Sequence, residues 1–422
     1  MYVLIRKIYK ILKNFLQGNF RGVYTEIHRP LKNFHRKYIL PLLVFRTRRK
    51  IINIIAQESS GKRVIIFPHT LDWNMALFQR PQQLAVAYSK KPNSLVLYLT
   101  KNYENDNIQI AEKVSRNLWV VNDNVVPALW KRLKAKETIM SLSWTVNKDY
   151  FYKLKPDYLI YEFIDELEIF NGYNKQMEID HKELARRADL VVCTASKLFE
   201  QAKRYASNPL LSTNAGDYDL FSKTTQFAIS PLIKSQISSY SCVLGYYGAL
   251  AKWFDYGLIR ETALQCPEWL WILVGMDYDG SLIKSGILNL RNVLYIPPQE
   301  YKTLPCFLKA FTIATIPFVI NDVTLSTSPV KLFEYMAAGK PILTSKMPEC
   351  LKYKSVYTYI DAEDFICKAN ELLQLQKDDM YWQNLKADAL ANTWDVKTDE
   401  ILKALYLSKT QLKNTNYSCQ QS

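Results

Sequence analysis

The sequence predicts an α/β protein built on two doubly wound, mostly parallel sheets. Three observations carry that expectation. Short, continuous apolar runs recur along the chain, as expected of strands buried on both faces. Helical patterns separate them, and the alternation of strand and helix is what doubly wound sheets require. The alternation also comes twice, divided by a polar stretch rich in Ser, Thr and Gln at residues 222–240.

In the first set, residues 64–67 (Val-Ile-Ile-Phe) read as a strand and residues 80–90 as the helix after it. Residues 94–100, 118–121, 138–142, 158–163 and 190–194 are further strands. The second set opens with Val243 and ends near Leu375. An amphipathic segment, about 394–407, follows, and from Lys409 the chain is polar. With 422 residues there is length for two domains plus extras. The expected division is an N-terminal extension at 1–60, a first domain at 61–235, a second at 236–390, a returning helix at 391–408 and a tail at 409–422.

The net charge of +15 is unevenly spread. Residues 1–60 hold 13 Lys or Arg against Glu26 and Glu58, a net of +11, so the other 362 residues carry only +4. The basicity thus belongs to an appendage, and no nucleic acid is expected as partner. In residues 1–17, at roughly 100° per residue, Leu4, Ile8, Ile11, Leu12 and Phe15 share one sector while Arg6, Lys10 and Lys13 oppose it. Such a helix suits an anionic membrane surface, with residues 1–50 adding further basic side chains. An ordinary surface helix is the alternative.

No apolar run approaches the ~20 residues of a membrane-spanning helix, and the N-terminus lacks the apolar core of a signal peptide. The expected place is the cytoplasm, at the inner face of a membrane. Seven cysteines, widely spaced and without C-x-x-C, suit reduced core thiols rather than disulfides or zinc.

The chemistry concentrates in Ser328-Pro329-Val330-Lys331-Leu332-Phe333-Glu334-Tyr335-Met336-Ala337-Ala338-Gly339-Lys340-Pro341. It reads as an apolar helix started near Pro329, stopped at Gly339 and followed by a buried strand. A helix N-terminus offers unpaired N–H groups and a partial positive charge, which suits a diphosphate. Lys331 adds a full charge there, and Glu334 can accept hydrogen bonds from the two hydroxyls of a ribose. Together they make a kit for a nucleotide-sugar.

This stretch resembles the donor site of glycosyltransferases with the GT-B fold, in particular the large family-4-like group, whose helix has the form P-x-K-x-x-E-Y-x-A-x-G-K-P. Other segments extend the resemblance from about residue 62 to about 405. Val243-Leu244-Gly245-Tyr246-Tyr247-Gly248-Ala249-Leu250 is similar to the first strand and glycine loop of that family's C-terminal domain. Gln79-Arg80-Pro81-Gln82-Gln83-Leu84-Ala85 is similar to an R-P-x-x-L-A segment after its first N-terminal strand. Asn214-Ala215-Gly216-Asp217-Tyr218-Asp219-Leu220-Phe221 is similar to the lead into its interdomain linker.

The resemblance implies two Rossmann-like domains facing a central cleft. It implies sugar transfer from a UDP- or GDP-linked donor to a saccharide or lipid-linked acceptor in cell-envelope polysaccharide or glycolipid synthesis, with retention of configuration. No metal and no cofactor beyond the donor co-substrate are implied. Glu334, Lys331, Ser328, Thr327, Ser326, Thr324, Gly248 and Gly245 are the donor-side candidates. Gly245 and Gly248 either admit the donor backbone-close or only shape a turn. Where many members have a second glutamate, eight residues before the ribose one, this chain has Ser326.

On the acceptor side stand His69 and Asp72, after the first strand, and Asp165 and Glu166, after residues 158–163. Lys331, Asp165 and His69 are the catalytic candidates: a cation for the leaving diphosphate, and groups to orient or deprotonate a hydroxyl. Arg80 reads as a salt-bridge residue. A nucleotide-sugar epimerase on the same fold, or a non-catalytic membrane or nucleic-acid adaptor, are the alternative functions.

Overall fold

A computed structural model describes residues 40–75, 77–169, 172–223, 228–375 and 378–419, with side chains between 45 and 408. The helix expected at residues 1–17 lies outside the described residues. The described residues fall into two compact units, those up to 60 together with 124–134, and those of 61–123 together with 135 onward.

In the small unit, the helix Leu40–Glu58 buries Ile52, Ile55 and Ala56, a spacing of three and four that puts them on one face. Phe45, Arg46, Arg49 and Lys50 are exposed. Arg132 donates to Asn53 Oδ1 at 3.0 Å and Arg48 to the Asn124 carbonyl at 2.8 Å.

The large unit holds two sheets. The first has eight strands in the order β3-β4-β2-β1-β5-β6-β7-β8. In chain order these are β1 (Arg63–Phe67), β2 (Ser94–Thr100), β3 (Ala111–Ser115), β4 (Leu118–Asn122), β5 (Glu137–Leu142), β6 (Tyr158–Phe163), β7 (Leu190–Cys193) and β8 (Pro209–Leu211). All neighbours pair parallel except β3 with β4. The second sheet is wholly parallel, in the order β11-β10-β9-β12-β13-β14. Its strands are β9 (Cys242–Tyr247), β10 (Trp269–Val274), β11 (Val293–Ile296), β12 (Ile313–Ile316), β13 (Ile342–Ser345) and β14 (Val356–Tyr359).

Each expected strand is present, most of them within a residue or two of its expected ends. Three strands were not expected. β3 is mostly exposed and charged (Ala-Glu-Lys-Val-Ser), an antiparallel edge with no apolar run to reveal it. β8 is short and begins with Pro, which restricts it to an edge. β14 alternates buried and half-buried residues, which is weaker than a continuous run. The polar stretch between the two sets contains the helix Pro231–Ile237.

In both sheets the chain starts in the middle and winds outward in opposite directions. The change of direction falls between β1 and β5 in the first sheet and between β9 and β12 in the second. Ligands of such sheets bind outside the carboxyl ends of the strands at that point.

The helix Trp394–Cys419 returns to the first lobe, where Trp394, Ile401, Leu402 and Leu405 join the core of the first sheet. Lys91 pairs with Asp399 at 2.8 Å beside it. Cys193, Cys242, Cys266, Cys306 and Cys350 are buried as free thiols, and Cys367 is exposed.

Candidate functional site

The crossover point of the second sheet brings the glycine loop after β9 against the helix Val330–Ala337, which follows β12. Gly248 has φ +137 and Gly275, after β10, has φ +148, a backbone region that side chains rarely adopt. A Cβ on Gly275 would lie 1.9 Å from the Gly248 carbonyl oxygen. Gly275→Ala should therefore displace the loop, cost about 1–3 kcal/mol or more, and lower the melting temperature read by circular dichroism.

A Cβ on Gly248 would meet Lys331 Cε at 2.9 Å, so the glycine leaves room for the lysine stem. The Lys331 ammonium sits over the rings of Tyr246 and Phe318, at 5.2 and 5.4 Å. Burial lowers its pKa to about 8, against the opposing pull of Glu334. Lys331 forms no ion pair among the described residues. A partly buried cation facing aromatic rings, without a carboxylate of its own, favours an anionic ligand. Gly245 serves the core instead, since a Cβ there would strike the Phe311 ring at 2.0 Å. Gly245 lies inside β9, so it shapes no turn, and the space beside it is filled by Phe311 instead of being open to a donor.

The helix itself is built as its sequence suggests. Pro329 is the N-cap, and Gly339, at φ +61, ends it in the left-handed conformation. Glu334, one turn in, is only 2% exposed. Its carboxylate accepts from Tyr247 Oη at 2.5 Å and from Tyr301 Oη at 2.7 Å. Burial raises its pKa, while the two phenols and Lys331 oppose the rise. A carboxylate has about four lone-pair sites, so two are left for a ligand.

The Tyr301 ring lies 5.6 Å from Phe78 of the first lobe and 5.7 Å from Phe221. Gly216 packs so tightly on this helix that a Cβ would be 2.8 Å from the Phe333 carbonyl carbon. Glu334 therefore lies under the seam between the lobes, with Tyr301 as its cover.

The hydroxyls in the preceding loop all have protein partners. Thr324 donates to the Val319 carbonyl at 2.7 Å and Thr327 to the Val323 carbonyl at 2.8 Å. Ser328 Oγ accepts from the Asn214 backbone N–H at 3.1 Å. Ser326 donates across the seam to Glu166 at 2.7 Å. The loop's side chains hold its shape and join the lobes.

In the first lobe, His69 and Asp72 follow β1, and both side chains are buried. His69 Nε2 meets Asp72 Oδ1 at 3.1 Å. Asp72 also accepts from the backbone N–H groups of Tyr103, Glu104, Asn105 and Asp106. Burial works against ionisation, but these donors and His69 hold the Asp72 carboxyl well below the usual carboxylate range. Asp72 thus fixes the loop after β2 and orients His69, rather than standing free as a base. Burial lowers the His69 pKa, with Asp72 opposing, which favours the neutral imidazole.

Asp165 differs. It follows β6 at the crossover side of the sheet, and burial together with Glu166 raises its pKa to about 7. Glu166 is paired with Lys197 at 3.1 Å and bound by Gln201 and Ser326. Arg80 is a buried salt-bridge residue, its Nε 2.8 Å from Glu162 Oε2.

The architecture is the GT-B fold: two Rossmann-like lobes, each with its crossover point, meeting at one seam. No family model matches the chain. In sequence it is similar to TuaH of Bacillus subtilis strain 168, named as a teichuronic acid biosynthesis glycosyltransferase, at 28% identity over 236 residues. The match covers 54% of this chain and 59% of TuaH, so the chain spans less than two thirds of that relative.

Among solved structures, Anabaena HepE in complex with UDP-glucose aligns with a TM-score of 0.56 at 16% identity, over 82% of this chain and 99% of HepE. The α,α-trehalose 6-phosphate synthase of Burkholderia multivorans aligns with a TM-score of 0.58 at 10% identity, over 84% of this chain and 100% of that one. At these identities the likeness is one of fold.

Several residues at the site carry no sequence signal that singles them out. Tyr247 and Tyr301 are two tyrosines among 28. Gly275 follows a strand, where a glycine is unremarked, Glu162 lies within β6 and Thr145 opens a short turn after β5.

Proposed function

We propose that this chain is a glycosyltransferase that moves a sugar from a UDP- or GDP-linked donor to a saccharide or lipid-linked acceptor in cell-envelope polysaccharide or glycolipid synthesis. The observation that carries this reading is the unpaired Lys331 ammonium, set against Gly248 at the crossover point one turn from Glu334. Lys331 and the helix N-terminus bind the diphosphate, and Glu334 binds the ribose once Tyr301 moves aside.

As the bond from the sugar C1 to the phosphate oxygen breaks, its electron pair goes to the diphosphate, where Lys331 offsets the charge. The acceptor oxygen forms the new bond to C1. In a retaining reaction the donor phosphate takes the acceptor's proton. Inversion is a second reading, favoured by Asp165, whose pKa of about 7 suits a general base. Lys331 takes the charge-neutralising role without a metal, so a chelator should leave turnover unchanged. An epimerase would instead turn over the donor with no acceptor present.

Thermal melting with UDP and with GDP tests the reading. A rise with one of them is the expected result, and no rise with either overturns it.

Attachment to an anionic membrane surface from the cytoplasmic side belongs to the same proposal. Among the described residues no helix is long and apolar enough to cross a membrane. The exposed Arg46, Arg49 and Lys50 continue the basic character of the N-terminal extension. Each such charge near the surface contributes roughly 1 kcal/mol. Deleting residues 1–17 should release the protein from phosphatidylserine vesicles in a sedimentation assay, and unchanged binding would refute the attachment.

A further inference from the structure

A small pocket opens at the carboxyl ends of β5 and β6, lined in part by Ser143, Thr145, Glu162, Asp165 and Leu167. It admits about one water-sized group. Two of its polar atoms have no hydrogen-bond partner, Glu162 Oε1 and Thr145 Oγ1. The residues are 2% and 1% exposed. Buried polar atoms in native proteins are normally paired, and leaving them unpaired is costly. The other Glu162 oxygen is held by Arg80 Nε at 2.8 Å, so the free one has a fixed direction. Ser143 is fixed too, its Oγ 3.2 Å from Thr70 Oγ1 in the loop that carries His69.

A hydroxyl has the chemistry that each atom lacks, since it donates to a carboxylate oxygen such as Glu162 Oε1 and exchanges a hydrogen bond with a hydroxyl such as Thr145 Oγ1. We propose that this pocket is an acceptor subsite in which Glu162 and Thr145 hold one neutral hydroxyl of a saccharide beside Asp165. This rests on the glycosyltransferase reading and adds the chemical class of the acceptor at that position. A carboxylate or phosphate is disfavoured, because Glu162 and Asp165 line the space with acceptor oxygens. Asp165, with its raised pKa, is the carboxyl best placed to take a proton from a neighbouring hydroxyl.

Saturation-transfer NMR on the full chain with UDP present tests it, using methyl α-D-glucopyranoside and methyl α-D-glucopyranosiduronate as probes. The neutral glycoside should receive saturation and the uronate about fivefold less or none. Thr145→Val, which keeps the side-chain shape, should cut the neutral signal by about fivefold, and Thr145→Ser should restore it. The melting shift with UDP should be the same in all three proteins.

A neutral signal unchanged in Thr145→Val, a preference for the uronate, or no transfer to either glycoside would overturn the subsite. The last result would mean that the pocket holds only a structural water. A missing UDP shift in the wild type, with the glycoside result intact, would instead sink the function reading and leave a saccharide-binding pocket without the acceptor role. Thr145→Val is preferred to a change at Glu162, because Glu162→Gln also disturbs the buried pair with Arg80.

Discussion

Replacing Glu334 by Gln should raise the dissociation constant for the cognate nucleoside diphosphate by about 10–100-fold, the worth of a charge-assisted hydrogen bond. The carboxylate is an acceptor at both oxygens, whereas the amide turns one of them into a donor. One ribose hydroxyl then loses its partner. Gln is the informative variant because it retains shape in a site that is 2% exposed. Ala would strip the acceptor from the buried Tyr247 and Tyr301 hydroxyls, at about 1–3 kcal/mol for each group left unpaired, and would mix instability with lost binding. Calorimetric titration of UDP and GDP reads the effect. An unchanged constant in a variant that melts normally would remove Glu334 from the binding site.

Asp165→Asn should lower kcat by about 100- to 10,000-fold if the side chain is the base. The wild-type rate should then rise with pH through about 7, as the carboxyl ionises, and the variant should lose that inflection. A loss of only a few fold, with the pH profile intact, would assign the proton to the donor phosphate and support retention. Proton NMR of the product's anomeric centre decides the stereochemistry directly.

The same group makes a stability prediction of opposite sense. The folded state raises the Asp165 pKa from 3.8 to about 7, so it binds the proton more tightly than the unfolded chain does. The resulting stability is complete below the unfolded value and is lost as pH rises through about 7. Asp165→Asn, always neutral, should therefore melt above the wild type at pH 8 and lose part of the pH dependence. Melting curves of both proteins from pH 5 to 8 check this, and a variant no more stable than the wild type at pH 8 would contradict it.

The fold was legible because parallel strands buried on both faces announce themselves as unbroken apolar runs, as in Val64-Ile65-Ile66-Phe67. Strands β3 and β8 stayed hidden because an exposed edge needs no such run. The helix from Val330 was legible through its ends, Pro329 and Gly339, whose backbone demands are local.

What surrounds Glu334 was not legible. Tyr301 reaches it from 33 residues away and Tyr247 from 87, and nothing in the spacing marks either tyrosine. The same holds for the loop hydroxyls. Thr324, Ser326, Thr327 and Ser328 are the right residue types for a ligand, yet three-dimensional packing gives each a protein partner first. Asp72 and Asp165 are both carboxylates beyond strand ends. Only the folded surroundings separate the one saturated by backbone N–H groups from the one that burial pushes toward neutrality.

Tyr301 has a kinetic consequence. Its phenol occupies one oxygen of Glu334 while its ring leans on Phe78 across the seam. Ser326 with Glu166, and the Ser196 N–H with Glu349 at 2.7 Å, fasten the same two lobes. On the proposed role of Glu334, a nucleotide arriving from solvent would thus find an occupied acceptor behind a fastened gate. Its capture waits on an internal unlatching event, and the observed association rate should level off at high UDP instead of climbing in proportion to concentration.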